Sequence, residues 1–371
     1  MRTIIVSDLH LGARSGADLA RRPQFADLLV EATQGADEVV LLGDVVELRD
    51  RPLAAVLEIA QPFFEMLGEA VDSGRIVVVP GNHDHQLLAP WLERRRIRGS
   101  APLGLEQTAK PTAGALGSLA RRTGNAEVVL AYPGIWVRPG IYATHGHYLD
   151  CHLTVPTFER LGCAALERLL GGLPQGDRSP DDYESVQQPL YSLLYSLAQG
   201  GERSRRVSAA NASARVWAAL HGRDGRPPSR RGRLAGRVGV PGALRLARRL
   251  GMGPLNADLS IPEIGRAGVR AMADVARRLR IDAEHVIFGH THRRGPIGSE
   301  ANDAGEPRWS VPGGPRLHNT GSWVYAPGLL GRDAGDSPFW PGTIAVLDDD
   351  ASPELRHLLD DHGHAELRSR G

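Results

Sequence analysis

Five short segments rich in Asp, Asn and His follow five apolar runs along the chain, and this arrangement constrains the fold most strongly. The segments are Asp8-Leu9-His10, Gly43-Asp44-Val45-Val46-Glu47, Gly81-Asn82-His83-Asp84, Thr144-His145-Gly146-His147 and Gly289-His290-Thr291-His292. The preceding runs are short and rich in β-branched residues or Leu, and helical patterns separate several of them. This alternation predicts an α/β protein. Open α/β sheets place their sites beyond the strand ends, so we expect the five segments to form one site.

The runs themselves give the predicted elements. We predict strands at 3–6, 39–42, 76–79, 128–130, 141–144 and 285–288. Apolar residues at a period near 3.6 predict a helix over 53–71, with Pro62 as its expected break. The segment 99–125 is rich in Gly, Ala and Thr, which predicts a loop or a small excursion from the core.

Each segment alone has an ordinary structural interpretation, such as a turn with a capping Asp or a His buried in the core. The combination is more specific. An Asp and a His two residues apart can bind one ion, a carboxylate such as Asp44 can bridge two, and the Asn82 side chain supplies a neutral oxygen. In an extended segment His-x-His places both rings on one side of the chain. We therefore expect His145 with His147, and His290 with His292, to face the same site.

The donor types indicate which metals could bind. Imidazole and carboxylate without thiolate suit Mn, Fe or Zn and disfavour a structural zinc site. Two such ions about 3.5–4 Å apart can hold the attacking and leaving oxygens of a phosphoryl group and acidify a water molecule. The sequence thus predicts a hydrolase of phosphate esters or anhydrides that uses two divalent cations, with Mn preferred.

The order DLH, GDVVE, GNHD, THGH and GHTH resembles the calcineurin-like metallophosphoesterase superfamily. The resemblance covers residues 1–150 and 281–325, and Asn319 to Ser322 resembles the strand and turn that follow the last His pair. It implies two packed mixed β-sheets flanked by helices. It also implies attack on phosphorus by a metal-activated hydroxide.

The resemblance also implies individual roles. Asp8, His10 and His292 would hold one metal, Asn82, His145 and His290 the other, and Asp44 would bridge both. His83 would assist the leaving group, either as an acid or as a donor that stabilises the developing charge. Three residues would have weaker roles: Glu47 would support the ligands from behind, Asp84 would orient a neighbour, and His147 has an open role. Arg293 could face either a substrate phosphate or solvent.

Within the superfamily, SDLHLG, HGHYLD and GHTHR are similar to the UDP-2,3-diacylglucosamine hydrolase branch, whose members carry a helical, lipid-accommodating cap. This branch commonly has Arg where His83 stands here, and its insertion is shorter and less basic. The implied substrate is a phosphorylated small molecule or a lipid-linked one. Nuclease activity is an alternative, although nucleases of this type usually carry their extra domain after the last His pair. A non-catalytic scaffold would lack ligands, whereas all seven positions are filled.

Residues 151–280 interrupt the α/β pattern, because strand signals nearly vanish there. We predict a core at 1–150 and 281–350, a helical insertion at 151–280 and a polar tail at 351–371. Thirteen arginines and one acidic residue, Asp224, lie between Arg203 and Arg249. This basic stretch is a solvated loop, a surface for anionic membrane or a nucleic-acid contact. Its only aromatic residue, Trp217, makes the last less favoured.

Composition adds information on location. The formal net charge is +1, which implies no polyanionic partner for the whole chain. Cys151 and Cys163 are the only cysteines and form no CxxC pair, so we expect a reducing compartment. Charge follows soon after the apolar run at residues 4–6, so we expect no signal peptide. We therefore predict a cytoplasmic protein, with peripheral contact at the inner face of the membrane as an alternative.

Overall fold

The strands of the protein form one continuous sheet in the computed structural model, which describes residues 1–200, 255–256, 258–298, 300, 309–330, 337–349 and 351–368. The strand order is β11-β10-β1-β2-β3-β5-β6-β7-β9-β8, and β4 pairs with β5 off this path. The strands are β1 Arg2–Val6, β2 Glu38–Leu41, β3 Arg75–Val78, β4 Glu106–Ala109, β5 Glu127–Arg138, β6 Ile141–Thr144, β7 His285–Phe288, β8 Arg294–Gly295, β9 Arg316–Thr320, β10 Thr343–Asp348 and β11 Glu354–His357. All six strands predicted from the sequence are present, and the α/β class is confirmed.

The long strand β5 makes the sheet fold over on itself. Its first half pairs with β3 and its second half with β6. One apolar cluster, which includes Ile5, Val77, Ala143 and Ile287, consists of residues in strands or directly after them, from both halves of the sheet. Arg138 at the end of β5 reaches back to donate to the carbonyl oxygen of Asp349, at 2.7 Å. The two halves therefore pack face to face, as the expected two sheets would, but hydrogen bonds through β5 join them.

Helices cover the outer faces. They are α1 Pro23–Thr33, α2 Leu53–Val71, α3 Ala89–Arg98, α4 Gly114–Ala120, α5 Phe158–Leu169, α6 Pro180–Gln199, α7 Ile261–Arg278 and α8 His364–Arg368. Apolar residues of α1, α2 and α4 pack on the half that contains β1, β2 and β3. Residues of α5, α6 and α7 pack on the half that contains β6, β7 and β9. A short 3-10 helix at His85–Leu88 follows the third motif, and another at His147–Cys151 begins at the last residue of the fourth.

The structure differs from the sequence prediction in three places. Helix α2 continues through Pro62, because its buried face, which includes Phe63 and Phe64, packs on both sides of the proline and outweighs the lost hydrogen bond. The segment 99–125 contains β4 and α4. The predicted polar tail is part of the core region, since β11 pairs with β10 and Leu367 of α8 is fully buried.

The region predicted as an insertion contains α5, α6 and α7 among its described residues, while 203–249 lies outside the described part. Its role as a cap and the membrane or nucleic-acid contact of the basic stretch stay predictions. Within the described residues, no helix is both long enough and apolar enough to cross a membrane.

Candidate metal centre

The loops that carry the five polar motifs meet at one edge of the sheet. Strands β1, β2 and β3 are mutually parallel, as are β6 and β7, so the loops that follow these strands come together at one edge. All seven predicted ligands lie there, namely Asp8, His10, Asp44, Asn82, His145, His290 and His292. Close packing depends on glycine: a Cβ on Gly43, whose φ is +85°, would collide with the His145 ring.

Three of these side chains form the first group. Asp8 Oδ1 lies 3.3 Å from His292 Nε2 and 3.9 Å from His10 Nε2, and the two ring nitrogens are 3.1 Å apart. Asp8 is fully buried, while the His292 side chain is 26% exposed. The group is thus open on the side of His292.

Asp44 joins the first group to a second one. Its Oδ2 lies 3.7 Å from His10 Nε2 and 3.3 Å from His145 Nε2. The Asn82 side-chain oxygen lies 3.2 Å from His145 Nε2 and 3.1 Å from His290 Nδ1. Asp44 is therefore the shared member of two adjacent sets of oxygen and nitrogen donors.

These side chains fit divalent cations because their lone pairs converge. Asp8 Oδ1 is buried and has no hydrogen-bond partner. The Asn82 oxygen faces only groups that accept hydrogen bonds when the histidines are neutral. Burial lowers the pKa of His10, but the Glu47 hydrogen bond and nearby carboxylates outweigh it and raise that pKa to about 9. A site with this excess of negative charge and unpaired acceptors favours positive ions.

Backbone strain is concentrated in the same loops. Five predicted ligands have a positive φ of 47–66° although none is glycine: Asp8, His10, Asp44, His290 and His292. This conformation is unfavourable for residues with a Cβ and persists where the surroundings enforce it. Strain of this kind is typical of sites in which geometry serves function.

Glu47 supports two histidines from behind. Its Oε2 lies 3.0 Å from His10 Nδ1 and 2.6 Å from His83 Nδ1. Burial raises the pKa of Glu47, but the charge of His83 and the hydrogen bonds from both rings outweigh burial and lower it. An ionised Glu47 keeps each Nδ1 protonated, so Nε2 of each ring is left for the site.

Asp84 connects two ligand loops through the backbone. It accepts from Gly81 N at 2.7 Å and from Val45 N at 2.8 Å. Burial, and then the charge of Asp44, raise its pKa to about 6. Asp84 thus fixes the loops that carry Asp44 and Asn82, rather than contacting the ligand atoms themselves.

His147 does not share the site of His145, contrary to the period-2 expectation. Gly146 has a φ of +100°, so the chain leaves the extended conformation between the two histidines. The His147 ring stacks on Tyr132, and its Nε2 lies 3.2 Å from the Tyr132 hydroxyl. Burial lowers the pKa of His147 well below its usual range, so the ring is neutral.

Arg293 faces neither substrate space nor solvent. Its side chain is 7% exposed, pairs with Glu300 and lies over the Trp309 ring at 4.9 Å. The strained turn through His292 directs the next side chain away from the ligands. Both sequence-based expectations for Arg293 were therefore wrong.

Two residues at the site were not predicted. Asp150 Oδ1 lies 2.9 Å from His290 Nε2, so it orients the ring whose Nδ1 faces Asn82. Arg49 Nη1 lies 3.2 Å from the side-chain amide of Asn82. The HGHYLD segment contains Asp150 and could have indicated it, whereas nothing around Arg49 marks it among many arginines.

Comparison with known proteins identifies the family of this chain. The family model for calcineurin-like phosphoesterases matches residues 1–196, which is more than half of the 371 residues. A solved dimetal phosphatase from Danio rerio is also similar, with 10% identity and a TM-score of 0.28 over 96% of this chain and 98% of that one. No curated protein matched the chain. The chain belongs to the calcineurin-like phosphoesterase family and is a metal-dependent phosphoesterase.

The family match differs in extent from the predicted one. It runs past residue 150 into the predicted insertion and does not include 281–325. His290 and His292 are therefore joined to the site by the structure and not by the family match. The similarity to UDP-2,3-diacylglucosamine hydrolases stays a prediction.

Proposed function

We propose that the protein hydrolyses phosphate esters or anhydrides at a centre of two divalent cations. One observation supports this more than any other. Two groups of oxygen and nitrogen donors share Asp44, whose Oδ2 lies 3.7 Å from His10 Nε2 in one group and 3.3 Å from His145 Nε2 in the other. A single cation site would not need the second set of donors.

Each cation has its own ligands in this proposal. Asp8, His10 and His292 would hold one, Asn82, His145 and His290 would hold the other, and Asp44 would contact both. Such donors suit Mn first, with Fe or Zn as alternatives. When bound, two cations supply Lewis acidity toward the phosphoryl group and acidify water.

His83 has the properties of a proton donor to the leaving group. Its Nδ1 is held by Glu47 at 2.6 Å, which leaves Nε2 as the nitrogen that can carry and release a proton. Its side chain is 21% exposed, whereas Glu47 is buried, so the ring borders the open side of the centre. Its backbone N donates to Asp44 Oδ1 at 2.7 Å, which fixes the ring relative to the shared ligand.

The test is a substrate panel with metal analysis. Purified protein loaded with Mn, Fe or Zn is given p-nitrophenyl phosphate, bis-p-nitrophenyl phosphate and a nucleotide diphosphate sugar, which represent monoesters, diesters and pyrophosphates. We expect Asp44→Asn to lower kcat/KM by roughly a thousandfold, because the shared carboxylate supplies several kcal/mol of electrostatic stabilisation through the cations.

Asp27→Asn, on the exposed side of α1, is the matched control and should retain activity. Metal should raise the melting temperature of the wild type and of Asp27→Asn more than that of Asp44→Asn. The proposal is wrong if the loaded wild type cleaves no member of the panel, or if Asp44→Asn remains as active as the control.

A further inference from the structure

Arg49 lies beside the metal centre in a position that the mechanism above does not use. It follows the second motif, and its backbone N donates to Glu47 Oε1 at 2.9 Å. Its side chain is only 6% exposed. A buried guanidinium next to a phosphoesterase centre requires an explanation, because burial of an incompletely paired charge is costly.

The orientation of the Asn82 amide determines what Arg49 can bind. With its oxygen toward Asp44, His145 and His290, as a cation there requires, its NH2 group faces Arg49 Nη1 at 3.2 Å. Two donors then face each other with no acceptor between them. Arg49 Nε is also buried and has no hydrogen-bond partner. This combination of donors calls for an anionic oxygen at the same place.

Two helices hold the guanidinium in position. Glu159 of α5 lies 3.3 Å from Arg49 Nη1, and the Tyr191 ring of α6 lies 4.8 Å from the Arg49 guanidinium carbon. The Glu159 side chain is 24% exposed, so its pairing with Arg49 is partly screened by water. These contacts fix the direction of the Arg49 side chain and leave Nε without a partner.

We propose that Arg49 binds a non-bridging oxygen of the phosphoryl group while Asn82 contacts the metal. The proposal rests on the proposed function, since it requires a phosphoryl group at this centre. It assigns to Arg49 the phosphate contact that the sequence had suggested for Arg293. Glu159 and Tyr191 are positioning residues that act through Arg49.

The first experiment measures binding of inorganic phosphate to the Mn-loaded protein by calorimetry. Arg49→Gln should weaken binding by about 10- to 100-fold, as loss of a charge-assisted hydrogen bond predicts. Arg49→Lys keeps the charge but not the planar pair of donors, so its phosphate affinity should lie between those of the wild type and Arg49→Gln. Arg51→Gln is the control, because Arg51 lies in the same loop but donates to the Gly12 carbonyl oxygen, and it should bind phosphate like the wild type.

The second experiment separates a phosphate contact from a purely structural role. Glu159→Gln leaves Arg49 in place but loosens it, so we expect a rise in KM by a few-fold with the metal content unchanged. Melting temperatures identify variants that fail to fold. If Arg49→Gln fails to fold, Arg49→Lys and Glu159→Gln still test the proposal. Wild-type phosphate affinity in folded Arg49→Gln would overturn the inference and would mean that Arg49 only binds the Asn82 oxygen. An inactive wild type would instead overturn the proposed function.

Discussion

Two buried polar clusters lie side by side in this protein and differ in how their charges are paired. The metal cluster consists of the seven predicted ligands named above. The Glu184 cluster consists of His85, Tyr132, Tyr148 and Glu184. Residues close together in the sequence belong to different clusters. Asn82 lies in the first and His85 in the second, and His145 is a predicted ligand while His147 stacks on Tyr132. Residue type and burial alone therefore do not distinguish a binding site from a structural network.

The difference lies in whether each acceptor meets a donor. In the Glu184 cluster the carboxylate accepts from Tyr148 at 3.0 Å and from Tyr132, and it pairs with His85 at 3.0 Å. Burial raises the pKa of Glu184, but the His85 charge and these hydrogen bonds outweigh burial and lower it. In the metal cluster, Asp8 Oδ1 has no hydrogen-bond partner and the Asn82 oxygen faces other acceptors. A network whose acceptors all meet donors within the protein favours stability, whereas one with unpaired acceptors favours binding of a cation.

The largest expected effect separates the two histidines of the fourth motif. His145→Gln should lower kcat/KM by roughly a thousandfold and remove a metal ion, because the ring is a donor beside Asp44. His147→Gln should keep metal and activity within about threefold and should lower the melting temperature, because it loses the stacking on Tyr132 and the contact of Nε2 with the Tyr132 hydroxyl. Kinetics and metal analysis of both variants check this. Equal losses of activity in His145→Gln and His147→Gln would contradict the division into a binding cluster and a structural cluster.

The second prediction concerns stability. Glu184→Gln should lower the free energy of unfolding by about 3 kcal/mol, because it leaves His85 without its buried carboxylate partner. Denaturation by urea of the metal-free protein measures this change. Glu58→Gln, on the exposed side of α2, should change stability by less than about 0.5 kcal/mol. A Glu184→Gln variant as stable as Glu58→Gln would show that the cluster contributes nothing to the fold.

The smallest effect is a pH dependence next to the Glu184 cluster. His152 Nε2 lies 2.7 Å from the Tyr183 hydroxyl oxygen, and burial, followed by nearby arginines, lowers the pKa of His152 to about 3. Because the unfolded His152 binds a proton near its usual pKa of about 6.5, unfolding takes up one proton between these pH values. Stability should therefore fall as pH drops through this window, by about 1.4 kcal/mol per pH unit from His152.

His152→Asn should remove that part of the slope. The unfolding free energies of wild type and variant are measured at pH 6 and pH 4 in the presence of a chelator. The difference between the two proteins cancels the contribution of the carboxylates, which both proteins share. Parallel pH curves for the two proteins would contradict the assigned protonation of His152.

Local sequence patterns predicted the strands and the meeting of the polar loops correctly. The six predicted strands coincide with the apolar runs, because strands that are buried on both faces of a layered sheet need apolar residues at successive positions. The polar loops met at one edge because parallel strands bring their ends together. Pro62 was misjudged, since a helix break expected from local chemistry was overridden by packing of the buried face of α2.

The sequence by itself determined the α/β class, the family resemblance and the set of seven candidate ligands, because these depend on residue types at fixed places after strands. Only the tertiary structure decided which polar residues face each other across the chain. It separated His145 from His147 through the positive φ of Gly146, directed Arg293 away from the centre and brought Arg49 and Asp150 to it. The reason is geometric: backbone turns and long-range packing set side-chain directions, and neither follows from spacing along the chain.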